Sequence, residues 1–281
     1  FVRDEDRKQV WKDVVQFSNA DVPSVRADWF IVTATQPPLY HKLLNIPDTL
    51  AKLEKELQLE VLENFLRGDV RRSGFAKSGV SKQNRLLERH TSPATPYFWI
   101  SYDFLPRRAK GDLARFPLGP QFPDNPFGSQ GFDHDGGEII WSLPNGMQAY
   151  MLIDNQGNRI DQGPIEVVFD RSAVLGTPSI INGISCIYCH RDGMITEFRD
   201  EIRAAESLGG KAREHLMKVY PPHTEMQSVT QQDQQLFMRA LERVIGPYLQ
   251  LEEDAGKPIA SFPELVGKVA ELYSRDLTPT E

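Results

Sequence analysis

The chain has 281 residues, 40% of them hydrophobic and 25% charged, enough to bury a sizeable core in one large or two modest domains. Its formal net charge of −7 and pI near 5.5 argue against a nucleic-acid surface, which draws on clustered Lys and Arg. No apolar run approaches the ~18 residues that read as a membrane span, and the start FVRDEDRKQVW lacks the features of a signal peptide.

From Asp4 to about Leu66 the periodicity predicts helices, with Val10, Trp11, Val14 and Val15, then Leu50, Leu53, Leu57, Val61, Leu62 and Phe65, at three- and four-residue spacing. Pro23, Pro37, Pro38 and Pro47 divide this stretch into short pieces. Seven prolines between Pro93 and Pro126, set among Tyr97, Phe98, Trp99, Tyr102 and Phe104, predict a long, ordered, irregular segment. Residues 138–161 alternate β-rich runs with two turn signals, Asn145-Gly146 being a strong hairpin cue, so an antiparallel β-meander is expected there. The run IEVVF (165–169) predicts a further strand. Helices return over about Glu197 to Tyr220 with a break at Gly209-Gly210, from a capping-box-like Thr230 to Gly246-Pro247, and over about Pro263 to Tyr273. The expected class is α+β and mainly helical, with an extension over 1–170 and a helical domain over 171–281.

Both cysteines of the chain fall in ISCIYCHRDGM (184–194), at Cys186 and Cys189, with His190 directly behind. C-x-x-C-H is the attachment sequence for c-type haem. Two thiols one short turn apart can form thioethers with the two vinyl groups of one porphyrin edge, while the adjacent imidazole binds the iron. Three other readings weigh against it. A thioredoxin-like pair belongs in a βαβ context that is not expected here, a zinc site would have to recruit two more ligands with no further Cys to offer, and the pair could be a structural disulfide or two buried thiols.

With its following helix, CIYCH resembles the c-type cytochromes. That resemblance, confined to about residues 180–250, implies a cytochrome c-like helical domain holding one covalent haem c, with Cys186 and Cys189 as attachment points and His190 as the proximal ligand. It also implies assembly outside the cytoplasm, in a periplasmic setting, with electron transfer to a redox partner protein or to other domains of a longer chain. In His/Met cytochromes a loop some tens of residues downstream supplies the sixth ligand, and Met226 in YPPHTEM stands in that place. His223, His134, His90 and His41 are alternatives, and an open iron is another; Met194 reads as packing on the proximal side. The stretches NRLLERH, HDGGEIIWSLPNGMQAYMLIDNQGNRID and INGISCIYCH together resemble larger cytochrome-like domains of bacterial envelope proteins.

Minor features point elsewhere. Arg107, Arg108, Lys110 and Arg115 could pair with haem propionates or form a solvated loop. DNQGN (154–158) reads as a turn rather than a calcium loop. Asp133, Asp135 and Glu138 read as turn residues or as proton donors beside an open iron. The expectation is an electron carrier; the alternative is a haem enzyme or gas sensor whose open site binds peroxide, O2 or NO.

Overall fold

The computed structural model describes every residue except 1–3, 21–23, 82, 107–108, 171–175, 197–198, 205–207 and 275–281. The N-terminal helices form as the periodicity predicts: α1 Asp4–Ser18, α2 Ala27–Ala34, α3 Leu39–Leu43, α4 Leu50–Glu56 and α5 Val61–Arg67. Thr49 caps α4 through its side chain, and Gly68 ends α5 in the left-handed conformation at φ +75°.

A six-stranded antiparallel sheet follows, in the order of the chain: β1 Arg71–Phe75, β2 Arg85–Ser92, β3 Thr95–Asp103, β4 Gly136–Ser142, β5 Gln148–Asp154 and β6 Arg159–Ile160. The meander expected over 138–161 is its second half, and the β4–β5 turn closes at Asn145-Gly146 with Gly146 at φ +86°. The first half is not among the strands expected from the sequence. β3 lies inside the stretch expected to be irregular: Pro93 falls in the turn before it and Pro96 is its second residue, where a missing N–H disturbs little of the ladder. The run 165–169 is not a strand but a turn followed by irregular chain.

Strand alternation gives the sheet two distinct faces. Arg85, Arg89, Trp99, Asp103, Glu138, Ile140 and Tyr150 share one, as the register pairs Arg85 with Asp103, Arg89 with Trp99 and Ile140 with both Trp99 and Tyr150. On the other face Arg72, Glu88, His90 and Tyr102 form a buried polar network. Arg72 Nε donates to Glu88 Oε2 at 2.5 Å, Tyr102 OH donates to Glu88 Oε1 at 3.0 Å, and His90 Nε2 lies 3.0 Å from that same oxygen.

Of the C-terminal helices, α6 spans Ile184–Cys189, α7 Gly210–Val219, α8 His223–Leu249 and α9 Leu265–Ser274. Among the described residues the helix expected over 197–220 is confined to α7, and residues 197–198 and 205–207 lie outside them. The helix expected from Thr230 starts earlier, at His223 after Pro222, and runs through Gly246-Pro247. Thr230 is not its cap: the hydroxyl donates to Met226 O at 2.8 Å, one turn back. Helix α8 crosses the sheet strand by strand. Glu225 pairs with Arg71 of β1, Asp233 accepts from Arg89 of β2 and from Trp99 Nε1 of β3, and Ala240 packs on Gly146 in the β4–β5 turn. One buried cluster draws residues from both sides of position 170, from Tyr40 through Met151 to Cys186 and Met226. The class is α+β. Among the described residues no helix is long and apolar enough to cross a membrane.

Candidate functional site around His190

Gly183 opens α6 at φ +87° and ψ −81°, a conformation that side-chain-bearing residues rarely adopt. A Cβ there would lie 2.4 Å from Thr35 O and 2.9 Å from Tyr40 Cγ, so the motif helix is seated directly on the loop between α2 and α3. Upstream, Asn182 N donates to Asp161 O at 2.9 Å and its amide nitrogen lies 2.6 Å from His41 Nε2. Ile184 packs with Val32 of α2 and Ala270 of α9, and Tyr188 rests on Gly267. The motif helix is thereby held between the sheet and the α2–α9 pair.

The last turn of the helix sets the ring of His190. Its backbone N–H donates to Cys186 O at 2.8 Å, and its Nδ1 lies 3.1 Å from Gly193 O. A carbonyl only accepts, so Nδ1 carries a proton and Nε2 is the atom left to act. Nε2 lies 3.8 Å from Glu138 Oε2, with both side chains largely shielded. Tyr150 lies alongside, its ring centroid 6.0 Å from that of His190.

Glu138 links the motif to the sheet. It sits on β4, its N–H donates to Ser101 Oγ at 2.9 Å, and Gly137 before it lets the strands approach so closely that a Cβ would stand 2.1 Å from Ser101 O. Burial pushes its carboxyl up, but His190, Arg85 and the Cys186 thiol outweigh that and hold it at about 2. The thiols move the other way. Desolvation first, then the Glu138 charge, pushes Cys189 up to about 11 and Cys186 well above the ordinary thiol range. Such cysteines stay neutral, the opposite of a thioredoxin-like pair, whose reactivity rests on a depressed thiol pKa. The surrounding sheet is antiparallel, so the βαβ setting is lacking as well. Among the described residues no group of three or more His, Cys, Asp or Glu has the arrangement of a self-sufficient metal site.

Beside Glu138 a small crevice of about 30 Å3, the space of about one water molecule, lies between the sheet and the chain around Val167, Val168 and Ile180. Leu152, Ile160, Val167, Val168 and Ile180 line it, with Arg85 at its edge in a two-pronged pair with Asp103 at 2.6 and 2.8 Å.

The fold brings Cys186, Cys189 and His190 together and adds Glu138 and Tyr150. It does not bring Met226 there. Met226 is buried on the first turn of α8 beside Glu225, whose partner Arg71 lies on β1. Glu138 is on β4, three strands across, which at the usual spacing is about 14 Å. His223 opens the same turn. His41 is buried against Asn182, His90 belongs to the network on the far face, and His134 packs edge-on against Tyr102 and Phe132. Met194 is buried in the core. Lys110 and Arg115 are half-buried and exposed, and Arg107 and Arg108 lie outside the described residues. At 154–158, Asp154 accepts from the N–H of Gln156 and of Asn158, which makes a turn. Glu138 was legible only as one acid beside a glycine pair; the strand register that points it at His190 pairs residues of three separate strands.

Comparison of the chain with protein-family models, with curated proteins and with solved structures finds no match.

Proposed function

We propose that this chain is a monohaem c-type cytochrome that carries electrons outside the cytoplasm, exchanging them with a redox partner protein. Cys186 and Cys189 would hold the haem through thioethers, and His190 would ligate the iron through Nε2. The observation that carries this reading is the hydrogen bond from Nδ1 of His190 to Gly193 O. Metal-ligating histidines commonly donate their other ring N–H to a backbone carbonyl, which fixes the tautomer and the ring's orientation.

Other features fit the same chemistry. The raised thiols suit conversion to thioethers, which bear no charge, better than service as thiolates. When bound, haem c supplies a one-electron ferric/ferrous couple tuned by its axial donors and by the polarity around it. The chain's own part is to keep that couple rigid: Gly183 seats the motif on the α2–α3 loop, and α9 clamps it from outside. Cys186 is buried and Cys189 exposed, so of the two attachment points Cys189 is the one a docking partner would approach.

The test is to produce the chain in a host equipped for cytochrome maturation, extract with acidified acetone, and record a spectroelectrochemical titration. Haem that stays with the polypeptide and cycles reversibly by one electron is the expected result. Haem that leaves with the solvent, or a colourless chain, would refute the proposal.

A further inference from the structure

We propose that α1 is an exchange helix: two copies of this chain associate, each laying its α1 in a groove on the other between α8 and residues 258–260. The proposal stands apart from the haem reading, since neither surface contains the cysteine motif. From Glu5 to Ser18 every side chain of α1 except that of Val15 is exposed. Helical spacing gathers Val10, Val14 and Phe17 into one stripe with Trp11 at its side, and Phe17 is 92% exposed. A helix of this length draws most of its stability from packing such a face against something, and α1 stands clear of its own chain's body. Asp6 and Asp13 run along one border of the stripe, two turns apart.

The groove offers the matching chemistry. It has a volume of about 590 Å3, with Met238, Pro258, Ile259 and Ala260 as its apolar wall. Gln250 Nε2 donates to Lys257 O at 2.6 Å, which ties that wall to the end of α8. Arg239 and Arg243, one turn apart, stand on the rim, both exposed, and among the described residues neither has an ion-pair partner. Glu242 between them accepts instead from Gln250 Nε2 at 2.5 Å. Two like charges four residues apart repel along a helix, and an acidic border brought from outside relieves them. Asp6 and Asp13 supply that border while the stripe beside them covers the apolar wall. Each chain holds both halves of the contact, so a second copy is the occupant the surfaces fit, and the reciprocal exchange closes about a two-fold axis as a dimer. The incoming helix lies beside the cysteine motif: Arg191, directly after His190, donates through Nη2 to Ala260 O at 3.4 Å, and Gly193 sits against Phe237 of α8.

The experiment is sedimentation velocity of the full chain over a range of concentrations. Wild type is expected to dimerise as concentration rises, and Trp11→Ser with Phe17→Ser, both exposed positions, should leave a monomer. Asp6→Lys with Asp13→Lys should raise the dimer's Kd at least about tenfold, and so should Arg239→Glu with Arg243→Glu; the four changes together should bring it back near wild type, because the charges are then opposed again. In a mixture of isotopically light and heavy wild type, a lysine cross-linker should join Lys8 or Lys12 of one chain to Lys257 of the other, beside Pro258. Wild type that stays monomeric at every concentration would overturn the proposal. So would a dimer indifferent to the arginine reversals, which would mean α1 pairs with another α1, a combined variant as weak as its parents, or cross-links confined to chains of one isotope, which would place α1 on its own groove.

Discussion

Replacing Gly183 by alanine tests how the motif helix is seated. The left-handed φ costs a side-chain-bearing residue about 1–2 kcal/mol. The added methyl would stand 2.4 Å from Thr35 O and 2.9 Å from Tyr40 Cγ, and forcing a group into a packed site costs about 1–3 kcal/mol more. Together these give a loss of about 2–5 kcal/mol, read as a lower urea midpoint at unchanged slope in the haem-free protein. Two other glycines separate the contributions. Gly176 has φ +72° and nothing within 4 Å of the point where a methyl would stand, so Gly176→Ala should cost only the strain of about 1–2 kcal/mol. Gly79 has neither feature, and Gly79→Ala should fall within about 0.5 kcal/mol of wild type. A Gly183→Ala protein within about 1 kcal/mol of wild type would refute the claim that α6 is locked onto the α2–α3 loop.

Further outcomes follow from the same contacts. In haem-free protein the thiols should alkylate slowly near pH 8 and faster as pH approaches 11, Cys189 before Cys186, because only thiolate reacts; prompt modification of both at pH 7, seen by mass, would contradict the raised thiols. Glu88→Ala strands the fully buried Arg72 without its carboxylate and should cost about 3–5 kcal/mol in a denaturant titration; a loss under about 1 kcal/mol would show the pair to be incidental. Stability should fall on acidification in two windows. Burial, with Arg159 nearby, lowers His41 from 6.5 to about 4, so the unfolded chain takes up that proton first and stability is lost as pH drops from 6.5 to 4. Glu88 follows: burial raises its carboxyl, but Arg72 and His90 bring it from 4.5 to about 2, so its contribution is lost between those values. A urea midpoint that holds steady or rises between pH 7 and 3 would contradict both.

The local parts of the site were legible in the sequence because they lie within a few residues of one another. Cys186, Cys189 and His190 sit on one short helix and its cap, and Asn145-Gly146 makes its own turn. Helix periodicity likewise located α4, α5 and α9, whose apolar faces repeat within single segments. What was not legible depends on pairings across the chain. β1 and β2 carry Arg71, Arg72, Arg85, Glu88, Arg89 and His90, charges that look solvated in sequence but are absorbed by salt bridges to Glu88, Asp103, Asp233 and Glu225. The prolines at the start of β3 hid a strand whose aromatics fill both faces of the sheet. Met226 occupies a suggestive place in the order of the chain, yet the direction in which α8 crosses the strands carries it to β1. Glu138 became visible as the partner of His190 only through the register of β3, β4 and β5.

The most direct measurement is a peptide map of the chain matured with haem, digested with trypsin after full denaturation. The peptide 172–191 contains both cysteines and His190. It should appear heavier by one haem and resist alkylation at both sulfurs, because each is a thioether. The same peptide at its unmodified mass, taking up two alkyl groups, would contradict covalent haem at this site and the ligand role proposed for His190 with it.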